Sequence, residues 1–130
     1  MLIFPLKKEW YEKIKSGEKT VEYRKVKPYW TRRIATTLCR PMFGLYSPKE
    51  LFEKVATIGF SKKFAACYPD NKCLLRLRFT GKKLSAYISL IETVNGKDTD
   101  LHIDKPVYAI HLTDVREAKE WKSENYMMKC

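Results

Sequence analysis

Turn signals recur along this chain too often for long helices to dominate it. Ser16-Gly17, Ser47-Pro48, Gly81-Lys82-Lys83 and Asn95-Gly96-Lys97 punctuate short apolar runs, and Pro69-Asp70-Asn71 marks one further break. Residues 55–60, 74–80, 84–92 and 107–112 read as strands, so turns fall about every eight to fifteen residues, the pattern of a small β-barrel. The chain has 130 residues, and a chain of that size buries roughly two thirds of its unfolded surface around one core. Residues 1–130 are therefore read as a single α+β domain, a mixed or antiparallel barrel flanked by short helices. No repeat, low-complexity linker or compositional break marks a second one.

Between the strands the helical signals are brief. From Leu6 onward Trp10, Tyr11 and Ile14 share an apolar face, and Gly17 ends the helix in the left-handed conformation that glycine accepts most readily. An extended segment then starts near Lys19. Residues 20–26 alternate, which places Thr20, Glu22 and Arg24 on a charged face and Val21 and Tyr23 on a packing face. Pro28 opens a tight turn or short helix reaching Ile34, with Tyr29, Trp30, Arg32 and Arg33 on it. Ser47, Pro48 and Glu50 combine an N-cap, a first-turn proline and a capping-box carboxylate, predicting a helix to about Lys54. In residues 74–80, Leu75, Leu77 and Phe79 face one way and Arg76 and Arg78 the other. A final helix is expected from about residue 115, capped by Asp114 and sharing Val115, Ala118 and Trp121 on one face, with residues 126–130 frayed.

Charge narrows the function classes. Twenty-six basic side chains against fifteen acidic ones give a net charge of +11, a balance that favours polyanionic partners. Residues 1–40 carry 11 basic and 4 acidic side chains, so the amino-terminal third is the electropositive part. Hydrophobic residues make up 45% of the chain, enough apolar material to exclude a disordered polycation. The apolar run from Met1 to Leu6 is broken by Pro5 and is too short for a signal core or a membrane span. A soluble cytoplasmic protein without membrane contact is expected. Cys39, Cys67, Cys73 and Cys130 form no CxxC pair, and His102 and His111 lie outside zinc-ligand spacing, so neither a metal site nor a cofactor is expected. The thiols are read as reduced and without chemistry. Oligomeric state has no signature in the sequence.

The most informative block runs from Ser16 to Arg24 and contains the spacing G-x-K-x-x-E-x-R at Gly17, Lys19, Glu22 and Arg24. It resembles the signature of the ASCH family, the activating signal cointegrator homology domains, related in fold to PUA domains. The following Val26-Lys27-Pro28-Tyr29-Trp30 looks like the continuation seen in small, often phage-associated members, and the likeness covers about residues 1–115. It implies a PUA-like barrel whose signature residues line a cleft for RNA or a modified nucleotide. The residue chemistry agrees. Lys19 and Arg24 suit phosphate, Arg24 can also read a base edge or orient Glu22, and Glu22 can accept from an exocyclic amine or act as a base. Tyr29 and Trp30 offer stacking faces, each worth about 1–3 kcal/mol per base. Lys25, Lys27, Arg32, Arg33 and Arg40 extend the phosphate footprint, while Tyr23 is assigned to the core. The same residue types also make an ordinary surface strand with an ion pair worth about 0–1 kcal/mol.

The resemblance leaves an enzymatic alternative. Some small ASCH-like proteins are amidohydrolases that remove the acetyl group of N4-acetylcytidine, and another branch looks like a metal-dependent ribonuclease. Lys19 matches the lysine given the nucleophilic or activating role in the first branch, with Glu22 as the accompanying catalytic group. That branch carries threonine where this chain has Glu22, and the chain has no compact carboxylate cluster for the second. Free lysine is neutral at pH 7 in only about one molecule in 2,500. A nucleophilic Lys19 therefore needs burial or neighbouring cations, and a nearby carboxylate works against it. A third alternative is a protein-interaction module that uses the basic face on acidic partners.

Overall fold

The first apolar run, too short for a helix, forms a strand. In β1 (Leu2–Leu6), Leu2, Phe4 and Leu6 are buried and Ile3 is exposed, the period of two that a half-covered strand requires. Its five residues and internal proline conceal it in the sequence. The computed structural model describes residues 1–39, 46–60 and 71–118. Next comes α1 (Lys8–Lys15), which buries Tyr11 and Ile14 and turns Trp10 sideways. Gly17 stops it with φ +85°, its N–H bonding the Ile14 carbonyl at 3.1 Å, while the Lys19 N–H reaches the Lys13 carbonyl at 3.0 Å. Those two bonds satisfy carbonyls that the helix end leaves open. The chain then enters β2 (Val21–Lys25).

Pro28 begins α2 (Pro28–Leu38), which runs a turn beyond the expected Ile34 because Thr31, Ile34, Ala35 and Leu38 form one continuous buried stripe. As expected, Ser47 caps α3 (Pro48–Ile58): its Oγ accepts from the Glu50 N–H at 3.2 Å and donates to Glu50 Oε1 at 2.9 Å. The helix continues to Ile58, so the strand expected at 55–60 shrinks to β3 (Gly59–Phe60). Val55 lies four residues after buried Leu51 and shares its face, and so short an apolar run satisfies either period. Gly59 is obligatory there, since a Cβ would stand 2.1 Å from the Ile91 carbonyl oxygen and φ is +95°.

The remaining strands are β4 (Lys72–Leu77), β5 (Lys83–Asn95) and β6 (Pro106–Ala118), with a 3₁₀ turn at Gly96–Asp98 after β5. Together they make an α+β fold whose sheet order is β1-β4-β5-β6-β2, with β3 added beside β5. Only β1 and β4 run parallel. The β5–β6 register shifts twice, between Ser85 and Tyr87 and between Ile88 and Leu90. Such irregularities bend and twist a long pair, and the sheet curls into a half-barrel flanked by the three helices. One buried cluster fills the curl, including Phe4, Ile14, Ile34, Val55, Leu75, Ile88, Ile91 and Tyr108.

Two further expectations are corrected. The alternation of residues 74–80 stops at Leu77: Leu75 is buried, but Phe79 is fully exposed with φ +61°, because the chain reverses there and the Leu77 N–H bonds the Lys82 carbonyl at 3.0 Å. Residues 115–118 are strand, not helix, since the length of β5 supplies pairing partners as far as Ala118 opposite Lys83. Asp114, with φ +52°, caps nothing and accepts instead from Arg116 Nε at 2.9 Å. The expected placements of Arg40, Cys67, Pro69, Asp70, Trp121 and residues 126–130 lie outside the described residues. Among the described residues no helix is long and apolar enough to cross a membrane.

Candidate functional site

Among the described residues the main strand order ends at β1 on one side and at β2 on the other. Pro5 lies on the first of these, where a residue without an N–H is tolerated. Its carbonyl accepts a hydrogen bond from Arg24 Nη2 at 2.8 Å, so an arginine of β2 spans the seam between the edges. Around that bridge lies a cleft of about 440 Å³, walled by β1, β2, Lys7 and Trp10 beside β1, Lys27 and Trp30 at the start of α2, Arg78 after β4, and Leu101. Its volume falls within the range of small-molecule sites, about 300–1,000 Å³.

Register explains why the motif residues meet here. Glu22 and Arg24 pair with Ile110 and Tyr108 of β6 and point the same way along β2. Glu22 is 6% exposed. One of its carboxylate oxygens accepts from the Tyr23 N–H at 2.9 Å, the other faces Arg24 Nη2 at 3.4 Å, and Lys19 Nζ stands 4.0 Å away. A buried carboxylate needs such partners to offset its lost hydration. Arg24 lies over the rings of Phe4 and Trp30, with its guanidinium carbon 5.5 and 5.2 Å from the ring centres. Burial pushes its pKa below the usual range, Glu22 works against that shift, and the charge of Arg78 adds to it. Arginine stays protonated throughout the physiological range all the same. Its Nε–H has no hydrogen-bond partner among the described residues.

Lys19 occupies a neighbouring pocket. Its ammonium is bonded to Asp100 and lies 5.1 Å from the Trp10 ring centre and 4.9 Å from that of Tyr23. Two carboxylates and two π faces together attract a cation strongly. The lysine thus ties the loop after β5 to α1 and β2. Gly17 acts only through its backbone: an added Cβ there meets nothing within 4 Å, and only the left-handed φ calls for glycine.

The other expected residues divide. Lys25, Lys27 and Trp30 line the cleft, and Trp30 also stacks on Phe4 with ring centres 5.1 Å apart, so it serves core and cleft together. Tyr29 is 59% exposed, edge-on to Trp30, with the Arg33 guanidinium over its ring. Arg32 faces elsewhere, into an apolar groove between α2 and α3 with Val26, Pro28 and Phe52. Tyr23, expected in the core, is half-buried and walls both pockets.

Sequence reasoning did not place Lys7, Trp10, Arg78, Asp100 or Leu101 in the site. Arg78 carried a partial signal, since it alternates with buried Leu75 and half-buried Leu77. Asp100 carried none: its position depends on how the loop from Gly96 to Lys105 folds back. Cys39 and Cys73 are free and buried, and burial pushes their thiols up to about 11 and about 12. Among the described residues no three His, Cys, Asp or Glu side chains are grouped to hold a metal ion. His111 pairs with Glu92 at 2.9 Å and lines neither pocket. No family model, curated protein or solved structure matches the chain.

Proposed function

We propose that this chain is an RNA- or nucleotide-binding module of the ASCH type that takes a nucleotide into the cleft at the sheet seam. One observation carries the reading. Arg24 is largely buried and stands in a cleft lined by four other basic side chains and, among the described residues, a single carboxylate, Glu22. A phosphate supplies the acceptors and the negative charge that such a group of cations calls for. Glu22 offers an acceptor for an exocyclic amine, and the Trp10 and Trp30 rings offer stacking surface. The half-barrel flanked by helices agrees with the architecture that the G-x-K-x-x-E-x-R resemblance implies.

The hydrolytic alternative has less support. A nucleophilic lysine needs a neutral amine, and the Lys19 ammonium is engaged by Asp100, with Glu22 nearby. In this reading Lys19 is a clamp that positions β2.

The test uses intrinsic fluorescence of the cleft tryptophans to follow cytidine monophosphate, whose base carries an exocyclic amine, and anisotropy to follow a labelled oligocytidylate. Arg24→Ala should weaken binding of both by about tenfold or more, and Lys19→Ala should also weaken it, whereas Lys97→Ala on the 3₁₀ turn, whose side chain lines neither pocket, should change it little. Equal effects of all three would replace the cleft with a diffuse basic footprint. RNA and N4-acetylcytidine incubated with the protein should return unchanged by mass spectrometry. Product formed by the wild type and lost in Lys19→Ala would make the protein an enzyme.

A further inference from the structure

Phe79 is a large aromatic side chain wholly in water, and neither pocket beside β2 includes it. It sits at the tip of the turn joining β4 to β5, with φ +61°, a conformation that bulky side chains rarely adopt. The turn around it is firmly built. Leu77 N–H bonds the Lys82 carbonyl at 3.0 Å, Thr80 N–H and Oγ1 both donate to the Leu77 carbonyl, and Lys82 N–H donates to Thr80 Oγ1 at 3.1 Å. The residue before the ring, Arg78, bonds the Leu6 carbonyl through its N–H at 3.0 Å and lines the cleft. Lys82 and Lys83 follow on the returning arm. An exposed ring is thus held in a strained conformation one residue in sequence from the cleft, on a turn that carries Arg78 before it and Lys82 and Lys83 after it.

Strained backbone at an exposed aromatic is a feature that clusters at sites of binding. The surroundings identify the kind of partner. A lone ring on a basic turn is far smaller than the roughly 800 Å² per partner that a stable protein interface covers. It does match how unpaired bases are held, by stacking on an aromatic face while neighbouring lysines and arginines neutralise phosphates. We infer that the β4–β5 turn is a second contact for single-stranded RNA, where a base beside the cleft-bound nucleotide stacks on Phe79 while Arg78, Lys82 and Lys83 hold the phosphates between. This rests on the cleft being a nucleotide site.

The experiment compares cytidine monophosphate, which reaches the cleft alone, with an oligocytidylate of about ten nucleotides, which spans both contacts. Phe79→Ala should leave monophosphate affinity unchanged and weaken the oligonucleotide about 5- to 150-fold, and Phe79→Trp should restore it. The ring touches no core residue, and Phe79→Gly, which suits the left-handed backbone, gives a second truncation that keeps the fold. Unchanged oligonucleotide affinity in both truncations overturns the inference, and so does equal loss of both ligands. A change in self-association on gel filtration with RNA affinity intact would assign the ring to a protein contact and overturn it too. If the wild type binds neither ligand, the cleft reading itself fails. If it binds both and Phe79 is indifferent, only the stacking contact falls.

Discussion

Glu22 and Arg24 stand two residues apart on one strand, yet they do different work. The carboxylate is buried and satisfied from three sides, whereas the guanidinium spans to the Pro5 carbonyl and leaves its buried Nε–H without a partner among the described residues. The two left-handed glycines show a similar division. At Gly59 a side chain collides with the backbone of Ile91, while at Gly17 it enters open space. Gly59→Ala should therefore destabilise the fold by about 3 kcal/mol or more. Gly17→Ala should cost only the left-handed conformation, about 1–2 kcal/mol. Urea midpoints of the two variants against wild type give the comparison, and comparable losses would show that the close approach at Ile91 relaxes freely.

At the scale of elements, α3 shows how a local signal sets a boundary. Ser47, Pro48 and Glu50 start the helix as their chemistry requires: Ser47 Oγ satisfies the Glu50 amide, which would otherwise lack an acceptor, and its own hydroxyl is held by the Glu50 carboxylate. Ser47→Ala should lower stability by about 0.5–2 kcal/mol, read from thermal or urea unfolding. Ser47→Thr should recover most of it, because threonine keeps both the acceptor for the Glu50 N–H and the donor to the Glu50 carboxylate. The end of β6 had no such local marker, and the far end of α3 had one only in its C-cap, Gly59, with φ +95°. Val55 and Val115 fit either period, and what decided between helix and strand was a partner: Leu51 on the same helix face for the first, the length of β5 for the second.

At the scale of the whole molecule, burial of the thiols makes stability depend on alkaline pH. Cys39 and Cys73 hold their protons to about 11 and about 12 when folded, whereas in the unfolded chain they titrate near 9. Above that value the native state binds more protons than the unfolded one, so stability falls as pH rises, by up to about 1.4 kcal/mol per pH unit for each thiol. Buried Tyr11 and Tyr108, also raised by burial, act with the same sign. Urea midpoints should be flat with respect to these groups below pH 8 and drop between pH 9 and 11, less steeply in Cys73→Ala, and neither thiol should react with iodoacetamide in the native protein at pH 8. The α+β class, the helix starts at Pro28 and Pro48, the Gly17 stop and the shared face of Glu22 and Arg24 were determined by the sequence alone, because capping, glycine freedom and strand alternation act within a few residues. The seam between β1 and β2, the capture of Lys19 by Asp100, the entry of Arg78 into the cleft and the exposure of Phe79 were decided only in the tertiary structure. Each depends on how a sheet bends at its bulges and which distant edges then meet, and no local residue pattern records that.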